Sequence, residues 1–304
     1  MVDSLQKIEE EVIDKLSLNK ARMTLVDKDR SNILLDSMTN PTRAAGGSAA
    51  NTAYWAAQLG GDVGFIGKIS NDELGEQFKA SVIDSGLKDF TVFESEDNQT
   101  GHCAIFITPD GERTMNTYLG AGAFLSIEDL DDKAIESAEI LYMEGYLWDR
   151  PTSKEAFLHA AKLNKLSGGK NAITLSDVFC VEMHRDSFIE FIKESIDFVF
   201  CNEEEIMALS LKETTEDAFE YFEKEFPNLE ELVCTLGPNG AVVISKGEKV
   251  HYEATKAEVV DKTGAGDYFA AGYLYGLQKK LTIEESADIA NRSAAHVISE
   301  VGVR

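Results

Sequence analysis

Short apolar runs alternate with longer stretches of helical period along most of this chain, and that alternation restricts its fold more than any other feature. The runs at 62–69, 140–143, 172–175, 197–201 and 231–236 read as strands. Between them lie helical segments with recognisable ends. Residues 48–59 are alanine-rich and stop at Gly60-Gly61. Ser70-Asn-Asp-Glu73 reads as a capping box, after which Leu74, Phe78 and Val82 recur every four residues until Gly86. Thr152-x-x-Glu155 and Thr282-x-x-Glu285 open two more helices, and 188–192 sits on another. Strands separated by helices predict an α/β fold: a central, mostly parallel sheet flanked by helices in three layers.

Two stretches break the rhythm. Residues 100–119 alternate around Pro109-Asp-Gly111, which predicts a β-hairpin with no helix beside it. Gly237-Pro-Asn-Gly240 predicts a second hairpin, with 241–245 as its return strand. The first hairpin suits a small β-sheet lid over the carboxyl edge of the main sheet. With no internal repeat, low-complexity segment or Pro/Ser-rich linker, residues 1–304 read as one domain, its lid drawn from roughly 4–45 and 90–122.

Composition narrows the partners. The 304 residues are 43% hydrophobic, ample for a buried core, and carry a net charge of −25. Such a surface repels phosphate backbones and anionic lipid, which argues against nucleic-acid and membrane-surface roles. A small phosphorylated ligand remains compatible, because a local cluster of backbone N–H groups holds an anion against the mean field. No apolar run approaches the ~18 residues of a spanning helix, and the acidic opening lacks a signal core, so the cytoplasm is the expected compartment. Cys103, Cys180, Cys201 and Cys234 show no C-x-x-C pair and read as buried free thiols. His102, His159, His184, His251 and His296 have no metal-ligand spacing. Met183, Phe188, Phe191 and Ile192 read as core, and Glu9 to Glu11 as a solvated face.

The stretch richest in chemistry is Glu258-Val-Val-Asp-Lys-Thr-Gly-Ala-Gly-Asp-Tyr-Phe-Ala-Ala-Gly272. Val259-Val260 reads as a strand running into Gly264-Ala265-Gly266, with a helix starting near Asp267. Exposed N–H groups of such a turn and first helical turn cradle an anion. Asp267 lies where the helix dipole favours its ionised form, so it could take a proton from an attacking hydroxyl. An anion cradle beside a carboxylate base is what phosphoryl transfer to an alcohol requires. Taken alone, the same residues are also an aspartate cap behind a tight turn. No G-x-G-x-x-G follows an early strand and no G-K-[ST] occurs, which disfavours a dinucleotide oxidoreductase and a P-loop kinase.

Asp261-Lys-Thr-Gly-Ala-Gly-Asp267 resembles the second signature of the ribokinase-like (pfkB-type) carbohydrate and purine kinases. Gly46-Gly-Ser-Ala-Ala-Asn51, followed by Gly60-Gly-Asp-Val-Gly-Phe-Ile-Gly-Lys-Ile-Ser-Asn-Asp-Glu-Leu-Gly75, resembles the first. Asn202-Glu-Glu-Glu205 is similar to the family's N-x-x-E motif and Thr235-Leu-Gly-Pro-Asn-Gly240 to its nucleotide-binding turn. The resemblance implies a ribokinase-like fold with a β lid, and ATP with Mg²⁺ as cofactors. It makes Asp267 the catalytic base and Gly264, Ala265 and Gly266 the anion hole. Asn202 and Glu205 would organise Mg²⁺ through water, and Thr235, Gly237, Gly240 and Asn291 would line the nucleotide pocket. Gly46, Gly47 and Asn51 would hold sugar hydroxyls together with Asp3, with Glu144 a further candidate. Asp261 and Thr263 match positions that hold a monovalent cation, K⁺, in some relatives. Bland counterparts exist: Asn202 as a helix cap, Glu203 to Glu205 as first-turn acids, Gly46-Gly47 as a loop, Gly237 to Gly240 as a hairpin turn.

Two departures stand out. Relatives open with a full buried strand, of which Met1-Val-Asp3 resembles only the tail; either the sequence is trimmed there or, if the protein is genuinely short, the sheet lacks a central strand. They also continue past the equivalent of Val301-Gly-Val-Arg304. Met23-Thr-Leu-Val-Asp27 and the 101–122 segment are most similar to the adenosine-kinase branch. The expected activity is therefore transfer of the ATP γ-phosphate to a primary hydroxyl of an adenosine-like ribonucleoside or a sugar. A ribose- or fructose-type sugar kinase and a catalytically silent nucleotide- or sugar-binding regulator are the alternatives. The partners are small molecules, and the protein is a monomer or homodimer.

Overall fold

Side chains of successive strand residues point to opposite faces, so a strand that is apolar throughout must be covered on both. β10 (Phe198–Asn202) shows this: Phe198 and Phe200 pack with one set of helices, Val199 and Cys201 with the other. It is an inner strand of a six-stranded sheet in the order β13-β12-β11-β10-β9-β8. β8 (Ile140–Glu144), β9 (Lys170–Thr174), β10 and β11 (Glu231–Thr235) run parallel; β12 (Ala241–Ser245) is antiparallel to β11, and β13 (Glu248–Tyr252) antiparallel to β12. The computed structural model describes residues 1–94, 98–300 and 302–303. Part of the expected lid at 95–97, and Val301 and Arg304 of the carboxyl end, lie outside them.

The helices are α1 (Glu11–Lys15), α2 (Lys28–Ser37), α3 (Ser48–Gln58), α4 (Glu73–Asp84), α5 (Asp132–Ser137), α6 (Pro151–Leu166), α7 (Val178–Ser195), α8 (Glu203–Ser210), α9 (Thr215–Glu225), α10 (Ala265–Gln278) and α11 (Ile283–Ile298). One core gathers Phe157, Phe188, Phe191, Phe219 and Phe222 from α6, α7 and α9 around Trp148. The opposite core sets Phe269, Ala270, Tyr273, Ala287 and Ala290 of α10 and α11 against the sheet. The expected three layers are present. All four cysteines are buried free thiols.

A second sheet, β2-β7-β6-β1-β3, forms the lid. Its strands are β1 (Val2–Lys7), β2 (Met23–Leu25), β3 (Thr42–Ala45), β6 (His102–Ile107) and β7 (Arg113–Tyr118), with β6 and β7 the predicted hairpin and Gly111 at its turn. Met1-Val-Asp3 thus enters a lid strand, parallel to β6, rather than the main sheet. β4 (Gly64–Ile69) and β5 (Lys88–Phe93) pair only with each other. Among the described residues, the main parallel layer is therefore divided, and both β4 and β8 present an edge without a further strand.

Four local expectations need correction. Asp72, not Ser70, caps α4: its carboxylate accepts from the Gly75 N–H at 2.8 Å, while the Ser70 N–H is committed to Thr100 Oγ1 at 2.9 Å. α6 begins at Pro151 rather than being capped by Thr152, because the proline fixes φ at the first helical position. Val259-Val260 is not a strand; the Val260 and Asp261 N–H groups both donate to the Ile298 carbonyl, at 2.8 and 3.1 Å, and both valines are about half exposed. Met183 is 63% exposed, whereas Phe188, Phe191 and Ile192 are core. Thr282 does form a full capping box with Glu285.

Candidate active site

The parallel strands β8 to β11 end side by side, with Glu144 opposite Thr174 and Asn202 opposite Thr235. Ligands in open α/β sheets bind outside such a carboxyl edge. Here a cavity of about 770 Å³ occupies that place, walled by these strand ends, by the amino-terminal ends of α3 and α10, and by the lid.

Asp267 is the third residue of α10, facing into the cavity from the helix's first turn. The residue before α10 is Gly264, at its N-cap, whose φ of +77° is costly for any residue with a side chain. A Cβ there would also come within 2.9 Å of Val303. A Cβ on Gly266 would meet only open space, whereas the Ala265 N–H already reaches the Lys262 carbonyl at 3.3 Å.

The Asp267 carboxylate is held from across the cavity. Ser48 Oγ donates to Oδ1 at 2.7 Å and Asn51 Nδ2 to Oδ2 at 2.9 Å. Ser48 and Asn51 stand three apart on α3, hence on one face, and Gly47, with φ +100°, stands at the helix's N-cap. The Asn51 Oδ1 is buried without a partner, an acceptor that a bound hydroxyl would satisfy. Glu144, at the end of β8, accepts from the Ala49 N–H at 2.7 Å. Burial first, and the Asp267 charge second, raise its carboxyl above the usual carboxylate range. Asp3 reaches the same wall from β1. A Cβ on Gly46 would lie 2.2 Å from its carboxylate oxygen, so only glycine permits the approach.

At the end of β10, Asn202 and Glu205 form a reciprocal capping box at the start of α8, so the cap expected as the bland reading is real. Both also line the cavity. Burial pushes the Glu205 carboxyl up to about 7, with Asp177 and Glu204 adding to the effect. Both Glu205 oxygens already accept from Asn202, Oε2 from its N–H at 3.1 Å and Oε1 from Nδ2 at 2.8 Å, so Mg²⁺ would meet this pair through its waters. Thr235 lines the cavity, with its hydroxyl on the Cys201 carbonyl at 3.3 Å. Gly237 and Gly240 sit in the β11–β12 turn and Asn291 is buried on α11; these three lie outside the cavity.

Asp261 and Thr263 do not fit a monovalent cation. Asp261 Oδ1 accepts from the Thr263 N–H at 3.1 Å and its hydroxyl at 2.8 Å, and Oδ2 from the Gly302 N–H at 2.9 Å. The Arg113 guanidinium then pairs with Oδ2 at 2.6 Å. Sequence reasoning passed over three residues here. Ser48 lay inside a quoted motif, where its i, i+3 relation to Asn51 was the available signal. Arg113 and Asp177 carried none.

Residues 17–304 match the pfkB family carbohydrate kinase. Adenosine kinase of Sinorhizobium meliloti superposes with a TM-score of 0.90 at 36% identity, covering 100% of this chain and 93% of that one. A probable sugar kinase of Rhizobium etli gives 0.91 at 35%, covering 100% and 92%. Aminoimidazole riboside kinase of Salmonella typhimurium is 29% identical, covering 86% of this chain and 83% of its own. The chain is accordingly a phosphotransferase with a hydroxyl acceptor, and it belongs to the pfkB family of carbohydrate kinases.

Proposed function

We propose that the protein phosphorylates the primary hydroxyl of an adenosine-like ribonucleoside from ATP. The observation that carries the choice of acceptor is the underside of the lid. Met23 and Leu25 of β2, Ile105 of β6 and Met115 of β7 face the cavity there, an apolar surface suited to a flat heterocyclic base. A free sugar, with hydroxyls on every side, would leave those side chains unmatched and its own hydroxyls short of partners.

The ribose hydroxyls would meet Asp3, the backbone at Gly46 and Gly47, and the unsatisfied Asn51 Oδ1. Asp267, oriented by Ser48 and Asn51, accepts the proton of the attacking hydroxyl. N–H groups at Gly264 and Gly266 stabilise the charge that develops on the phosphoryl oxygens, the Ala265 N–H being committed to Lys262. Asn202 and Glu205 would hold Mg²⁺, which neutralises phosphate charge when bound. Closure of the lid keeps water from the phosphoryl group.

The test is ADP release measured over adenosine, other ribonucleosides, ribose and fructose. The reading predicts kcat/KM for adenosine roughly 100-fold or more above that for fructose. Turnover of fructose with none of any nucleoside would overturn it in favour of a sugar kinase.

A further inference from the structure

We propose that the guanidinium of Arg113, carried on the lid, takes the place of a monovalent cation behind the glycine turn, so that this protein needs no K⁺ to order its anion-binding loop. Arg113 opens β7, the return strand of the lid hairpin. Its Nη2 lies 2.6 Å from Asp261 Oδ2, and its Nη1 donates to Thr263 Oγ1 at 3.4 Å. The two side chains are only 12% and 6% exposed, so the pair is shielded from solvent. Asp261 also receives three donors from Thr263 and Gly302, which fills its oxygens as the charge of Arg113 neutralises it.

The segment they hold leads straight into Gly264 and the first turn of α10. Thr263 and Gly264 line the cavity, while Arg113 and Asp261 lie behind them. An ion at this carboxylate would sit about 4 Å from the guanidinium; at an effective dielectric near 20, that repulsion weakens binding on the order of a thousandfold. Arginine stays charged at any working pH, and its planar fork fixes carboxylate and hydroxyl together. The one bridge therefore orders the turn and ties it to the lid.

The experiment follows thermal unfolding of the protein alone in potassium, sodium and tetramethylammonium chloride at matched ionic strength. Because no substrate is needed, its outcome is separate from that of the acceptor assignment. Wild type is expected to unfold at one midpoint in all three salts. Arg113→Met, which strands a buried carboxylate, should unfold roughly 5 to 10 °C lower. Potassium, but not tetramethylammonium, should recover part of that loss. Arg113→Lys should stay insensitive to the choice of cation. A wild-type midpoint raised specifically by potassium overturns the proposal, as does an Arg113→Met variant that is destabilised yet indifferent to the cation. If Arg113→Met does not fold, the wild-type comparison and Arg113→Lys decide, with potassium-specific stabilisation of either counting against it.

Discussion

Ser48→Ala removes one hydroxyl and leaves the α3 backbone as it is. The Ser48 hydroxyl donates to Asp267 at 2.7 Å, and Asn51 on the same helix donates at 2.9 Å. A hydrogen bond to an ionised group is worth about 1.5 to 3 kcal/mol. At 1.36 kcal/mol per pH unit, losing it should move the acid limb of the pH–kcat/KM profile up by about one to two units. The direction follows from the donor's preference for the ionised form: without it the proton is held more tightly, so activity at low pH falls first. Initial rates across a pH series, with ATP saturating and acceptor varied, would show the shift, while the KM for ATP stays put. Ser48→Thr should restore the wild-type profile. A profile lowered evenly at all pH values, with no movement of its acid limb, would refute the idea that Ser48 tunes the base.

Glu205→Gln should change how stability depends on pH in metal-free buffer. The buried carboxyl binds its proton more tightly folded, at about 7, than unfolded, at its ordinary 4.5, so its contribution is most favourable below 4.5 and declines as pH rises to 7. The variant's stability relative to wild type, read by urea unfolding, should therefore improve by about 2 to 3 kcal/mol from pH 5 to pH 8, and a constant difference would contradict the burial argument. Gly264→Ala forces a side chain into a left-handed backbone and towards Val303, so it should cost roughly 1 to 2 kcal/mol in unfolding free energy. It should also lower kcat more than it raises either KM; an unchanged kcat would remove the anion role of that turn.

The sequence was most readable where one segment dictates its own structure. The 198–202 strand is apolar on both faces and could only be an inner strand; Thr282 and Glu285 cap each other within one turn. The hairpin at Pro109-Asp-Gly111 needs only its own φ values. Distant partners decided the rest. Ser70 loses the cap because Thr100, thirty residues on, takes its N–H. Val259-Val260 looks like a strand, yet its backbone is anchored to the end of α11. The Asp267 cradle joins residues 219 apart, and nothing in the turn motif alone reports which side chains face it. Arg113 was silent for the same reason: an arginine after a hairpin turn reads as surface until its carboxylate is found.

The role of Asp267 as the base is tested most directly by Asp267→Asn, with phosphoryl transfer and ATP affinity measured on the same preparation. The amide keeps the shape and can still meet Ser48, but it cannot take a proton. The account predicts ATP binding close to wild type and kcat lower by at least about a thousandfold. A variant that turns over within about tenfold of wild type would contradict it.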